Sequence, residues 1–126
     1  MKHFSRAFAH RWLASGRTID GLSDLPELTE AELHELIRAE CARRGWIALH
    51  GDMTRPSGRV LGEPDYIVMA DQGRVFFVEC KSATGNLSPA QFALRAQARL
   101  LGHEIHVVRS LDAFITLVAP VTTLST

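Results

Sequence analysis

The sequence predicts an α/β domain: a central mixed sheet of about four strands flanked by helices, in the order helix, strand, strand, strand, helix, strand, helix. Three observations carry that expectation. An N-terminal capping pattern at Thr29 opens a stretch of apolar residues at helical spacing. Two strongly apolar runs, Tyr66 to Ala70 and Val75 to Cys80, flank the short turn Asp71-Gln72-Gly73, which reads as an antiparallel hairpin. After it, a helix start at Ser88-Pro89 is followed by the strand-like Ile105 to Val108 and a last helical stretch. Passing from strand through helix to strand implies a parallel crossover, so the sheet is mixed.

In chain order, residues 1–28 read as an N-terminal arm with turn formers at Gly16, Gly21 and Pro26 and a short helix around Phe4 to Leu13. The domain proper spans 29–118. Thr29 can cap a helix while Glu32, three positions on, reaches back to it. Leu33, Leu36, Ile37 and Cys41 then mark one face, and Gly45 supplies the stop. Trp46 to His50 is a short strand, and Gly51 to Pro64 a polar loop. Ser88 as N-cap and Pro89 in the first turn open the long helix, which runs to about Leu101 before Gly102. Leu111 to about Val118 is the last helix, ended by Pro120, and 119–126 form a tail.

Composition narrows the function classes. With 126 residues, 46% hydrophobic and 22% charged, the chain suits one globular domain with a single core. Fourteen basic residues balance fourteen acidic ones, which argues against a strongly basic coat or packaging protein and leaves room for an enzyme with its own carboxylates. No run approaches the roughly 18 apolar residues of a membrane span. The basic start Met1-Lys2-His3 lacks the apolar core and cleavage site of a signal peptide, and Cys41 and Cys80 form no disulfide framework; a cytoplasmic setting is expected.

Charges stand where a core-building sequence would not put them. Along the second hairpin strand, Val75, Phe77, Glu79 and Lys81 share one face, so a carboxylate and an ammonium project from the end of an apolar strand. Burying either alone is costly, so they must pair, meet solvent or hold an ion. Asp65, just after Pro64, opens the partner strand and should sit near Glu79 at the same end. Taken singly, Asp65 can be a turn cap and Glu79 with Lys81 an ion pair. Taken together, two neighbouring carboxylates repel unless something positive lies between them, and Mg²⁺ is a hard cation suited to that place.

At this point the sequence resembles a known family. Gly62-Glu63-Pro64-Asp65, Glu79-Cys80-Lys81, Gly85, Ser88 and Gln91, and the late Val107-Val108-Arg109-Ser110 are similar, in order and spacing, to the VRR-NUC branch of the PD-(D/E)xK nucleases. The resemblance covers about Thr29 to Leu117 and implies a restriction-endonuclease-like fold. It implies that Asp65, Glu79 and the backbone carbonyl of Cys80 hold Mg²⁺, with Mn²⁺ able to substitute. It implies that Lys81 steers water or stabilises the phosphate, and that Gln91 faces the site. Ser88 to Gln91 is also a capping box, which gives Gln91 a structural reading as well. The family's acidic residue on the first helix corresponds to Glu30 or Glu32. Glu30 lies within the stripe of Leu33, Ile37 and Cys41 and Glu32 does not, so Glu30 is the choice. His34 stands where the family often has Gln.

The resemblance implies DNA as substrate, branched or flapped duplex above all, in replication, recombination or repair, and a homodimer that would cut both strands of a junction. Arg55, Arg59, Arg95 and Arg99 are candidate phosphate contacts, positioning a duplex without reading it. The six histidines lack a metal-binding spacing and receive no catalytic role. Two rivals are a restriction-type or mobile-element endonuclease, and an inactive DNA-binding module on the same fold.

Overall fold

The computed structural model of the protein describes residues 27–51 and 60–120. Residues 1–26, where the sequence reading expects most of the arm and a short helix around Phe4 to Leu13, and most of the tail lie outside the described residues, as do Arg55 and Arg59.

Helix α1 (Glu30–Arg44) starts as the capping pattern predicts: the Thr29 hydroxyl accepts from the Glu32 N–H, and the Glu32 carboxylate accepts from the Thr29 N–H. Gly45 ends it in the left-handed conformation, φ 76°. Strands β1 (Ile47–His50), β2 (Tyr66–Met69) and β3 (Val75–Cys80) form an antiparallel meander, and β4 (Ile105–Val108) adds parallel to β3, giving the sheet order β1-β2-β3-β4. Helix α2 (Pro89–Leu100) makes the crossover, and α3 (Leu111–Leu117) follows β4. The expected element order and the mixed sheet are therefore present. The differences are single residues at strand ends. Trp46 precedes β1 and lies under the Arg44 and Arg74 guanidinium groups. Ala70 leaves β2 to close the turn, its N–H donating to the Arg74 carbonyl while Gln72 takes a left-handed φ of 57°.

The core fills one side of the sheet. Leu33, Leu36, Ile37 and Cys41 of α1, Leu111 and Phe114 of α3, and Tyr66, Val68, Val78 and Cys80 of the strands are all buried together. The alternation within β2 and β3 sends their other side chains to the opposite face, where α2 lies. That layer is looser. No residue of α2 is fully buried, and a cavity of about 440 Å³ separates Leu94, Ala98 and Leu101 from Ile67, Phe77 and Ile105.

The approach of the chain to β2 depends on Gly62. Its φ is +81°, and a Cβ there would lie 2.4 Å from the Ala90 carbonyl oxygen and 2.7 Å from the Gln91 nitrogen, both backbone atoms of the first turn of α2. Only glycine fits, because the left-handed backbone and the contact each penalise a side chain. Gly62→Ala should therefore destabilise the fold by about 2–4 kcal/mol in denaturant titration. An unchanged midpoint would show that the loop does not pack on α2.

Candidate active site

The carboxyl end of β3 and the start of β2 meet between the two helical layers, and each layer contributes. Asp65 is fixed by the backbone: its Oδ2 accepts from the Cys80 N–H at 2.8 Å, extending the β2–β3 ladder by one side-chain bond. Glu79 is buried, with 2% of its surface exposed. Its Oε1 accepts from the Gln91 amide at 2.6 Å. Its Oε2 is buried and has no hydrogen-bond partner among the described residues.

A second buried carboxylate gives the measure of how unusual this is. Glu40, 6% exposed, is satisfied by the guanidinium groups of Arg43 and Arg44. Burial alone would raise its pKa, but those hydrogen bonds and charges hold it below the ordinary carboxylate value. Glu79 has no such partner. Burial, then the charge of Asp65, push its pKa up to about 8, while Lys81 pulls the other way. The charge of Asp65, at the start of the neighbouring strand, therefore acts on Glu79. An orphaned carboxylate oxygen beside a second carboxylate fits a hard dication, which accepts oxygen donors and offsets their repulsion.

Gln91 resolves two readings into one. Its Oε1 accepts from the Ser88 N–H at 2.8 Å, completing the capping box, while its Nε2 donates to Glu79. One planar amide serves both, since the acceptor and donor ends point in different directions. On α1, Glu32 is taken up in the cap with Thr29, whereas Glu30 lies 3.8 Å from His34 Nε2 and its charge reaches Glu79. Lys81 follows β3, its N–H donating to the Val108 carbonyl at 3.0 Å and its side chain half-buried.

Two residues at the site, His34 and Arg109, are positions of the family pattern to which the sequence reading gives no role. The side chain of His34 is 17% exposed and its Nε2 stands 3.7 Å from Asp65 Oδ2. Its Nδ1 hydrogen-bonds the Tyr66 hydroxyl at 2.8 Å. The sequence reading gave no histidine a role because it sought histidines spaced against one another. The available signal was Glu30 with His34, one helical turn apart. Arg109 reaches back to the loop after Lys81, its Nη1 donating to the carbonyls of Ser82 and Gly85 at 2.8 and 2.7 Å. The Cys80 thiol, His34 and Asp65 form one group whose donor atoms lie within 4.8 Å of one another.

The structure does not bring Arg95 or Arg99 to this centre. Arg95 donates to the Ile105 carbonyl and Arg99 pairs with Glu104, both at the far end of α2. Contact with phosphate would cost them these partners. A cleft of about 320 Å³ opens beside Asp65, lined by Leu49, His50, Gly51, Glu63, Pro64 and Ile67. No helix among the described residues is long and apolar enough to cross a membrane.

No family model matches the chain. Over 53 residues it is 45% identical to "Putative nuclease p44" of Acyrthosiphon pisum secondary endosymbiont phage 1, a stretch covering 40% of this chain and 55% of that protein. The match thus spans little more than half the length of that relative. A solved VRR_NUC domain superposes with a TM-score of 0.58 at 22% identity, over 71% of this chain and 94% of that domain. In architecture, then, the chain is a VRR_NUC-type α/β domain with local sequence likeness to a phage protein named as a nuclease.

Proposed function

We propose that the chain is a divalent-metal-dependent DNA endonuclease of the VRR-NUC family, acting on branched or flapped duplex as a homodimer in replication, recombination or repair. The observation that supports this most is the buried, partnerless Oε2 of Glu79 beside Asp65. A structural core would not retain two adjacent carboxylates without a cation, because the repulsion and desolvation together cost several kcal/mol.

In this reading Asp65, Glu79 and the Cys80 carbonyl hold Mg²⁺ or Mn²⁺. When bound, the ion supplies Lewis acidity at the phosphate and lowers the pKa of water, giving a nucleophile at neutral pH. The chain's own groups do the rest. The Cys80 N–H sets the direction of Asp65, and the Gln91 amide holds Oε1 of Glu79, which leaves Oε2 as the oxygen that would serve as ligand. Lys81 places a cation beside Glu79, where it can stabilise charge developing on the phosphoryl oxygens. Arg109 keeps the loop after Lys81 closed on itself.

The test is cleavage of single-stranded, duplex, flap and four-way-junction DNA by wild type and Asp65→Ala, with Mg²⁺, Mn²⁺ or EDTA. Wild type should cut a branched substrate only with metal, and the variant should lose at least about 10³-fold in rate. Cleavage that persists undiminished in Asp65→Ala overturns the site.

A further inference from the structure

We propose that His34 Nε2 is a ligand of the same ion, so that the site offers nitrogen as well as oxygen and prefers Mn²⁺ or Co²⁺ to Mg²⁺ and Ca²⁺. The inference rests on the metal site just described and adds a residue to it.

The imidazole is held for that role. Its Nδ1 meets the Tyr66 hydroxyl at 2.8 Å, and the Tyr66 and His50 rings pack beside it with centroids 5.3 and 5.7 Å away. Tyr66 is buried, and its hydroxyl oxygen can accept from Nδ1–H. In the tautomer that donates from Nδ1 to this hydroxyl, the Nε2 lone pair is available to a metal. Ligating histidines are oriented in this way, by a second partner on the other ring nitrogen.

The free nitrogen points between two carboxylates without bonding to either. It lies 3.7 Å from Asp65 Oδ2 and 3.8 Å from Glu30 Oε1. An imidazolium paired with a carboxylate closes to about 2.7–2.9 Å. Two atoms bonded to one ion at about 2.1–2.2 Å lie roughly 3 Å apart when adjacent and at most about 4.3 Å apart when opposite. The observed separations fall between these limits, as for donors arranged around a common centre. Glu30 and His34, four apart on α1, present their donors on one side of the helix.

The nearby Cys80 thiol does not make this a thiolate site. Its side chain is fully buried on the core face of the sheet, in one apolar cluster with Tyr66 and Val78. The donors that remain are carboxylate oxygen and imidazole nitrogen. That set binds the later first-row ions more tightly than Mg²⁺, which demands oxygen and keeps its water.

The experiment uses the full chain and Mn²⁺ as probe. Pulsed EPR of Mn²⁺ bound to wild type should show coupling to a directly bonded nitrogen, absent in His34→Gln and in Asp65→Asn. His34→Gln should weaken Mn²⁺ binding by at least about tenfold and Ca²⁺ binding by less than about threefold. Tight Mn²⁺ binding to wild type without nitrogen coupling, or coupling that survives in His34→Gln, overturns the role of His34 and leaves Asp65 and Glu79 in place. Failure of folded wild type to bind Mn²⁺ at all overturns both. The wild-type spectrum decides the matter even if the variant folds poorly.

Discussion

Glu79→Gln should abolish divalent-metal binding and at the same time make the metal-free protein more stable. Wild-type Glu79 has a pKa pushed up to about 8 by burial and by Asp65, against an ordinary value near 4.5. The folded protein therefore holds this proton more tightly than the unfolded chain does. Its contribution to stability is fully present below about pH 4.5, declines as pH rises, and is lost as pH passes through about 8. Glutamine is isosteric with the protonated acid. It keeps the acceptor for Gln91 and offers Asp65 an amide donor in place of a repelling charge. The variant should thus escape the decline, with a stability gain on the order of 2 kcal/mol near pH 8.5 and little gain near pH 4. Metal affinity should fall by at least about 100-fold, since a neutral amide is a poor ligand for a hard dication. Thermal melts across pH, with EDTA and with Mn²⁺, read both effects. Parallel wild-type and variant curves from pH 4 to 9 would show that Glu79 is an ordinary carboxylate.

That opposition of stability and binding is what separates the two buried carboxylates. Glu40 is neutralised within its own helix by Arg43 and Arg44, three and four residues on, so its partners are visible in the sequence. Glu79 draws on β2 for Asp65, on α2 for Gln91 and on the first helix for the charge of Glu30. No single segment explains it.

The same distinction governs how much was legible beforehand. Features decided within a few residues could be read directly: the Thr29–Glu32 and Ser88–Gln91 caps, the Gly45 stop, and the hairpin with its period-two faces. From the hairpin alone Asp65 and Glu79 could be placed side by side. What could not be read depends on contacts made across the fold. His34 meets Asp65 only because α1 lies over the start of β2, where Tyr66 anchors the ring. Arg109 finds the carbonyls of residues 82 and 85 through the parallel pairing of β3 and β4. Arg99 reads in sequence as a candidate phosphate contact, yet the turn after α2 swings Glu104 back to it. Gln91 lay between the two cases. Periodicity pointed it at the sheet and the capping box claimed it for the helix end, and only the geometry shows that one amide does both.

Lys81→Met should leave metal binding intact and cost catalysis about 10²–10³-fold in single-turnover rate, as removal of one preorganised charge at a phosphate does. Lys81 is a better candidate for electrostatic stabilisation than for general base, since an ordinary lysine is a cation at neutral pH. Methionine keeps the length and apolar stem of the half-buried chain, and the backbone bond from residue 81 to the Val108 carbonyl is untouched, so the fold should hold. Two consequences for the ion oppose one another. Loss of the ammonium removes its repulsion of a dication, but also removes the charge that eases ionisation of Glu79. Mn²⁺ affinity should consequently change by less than about threefold at pH 8, while the rate falls. Lys81→Arg should recover part of the loss, because it restores the charge with a different donor geometry. If Lys81 acted as base, arginine would recover nothing and the pH–rate profile of the methionine variant would lose a limb. A parallel fall in metal affinity and rate would instead make Lys81 a support for Glu79 rather than a group that meets the phosphate.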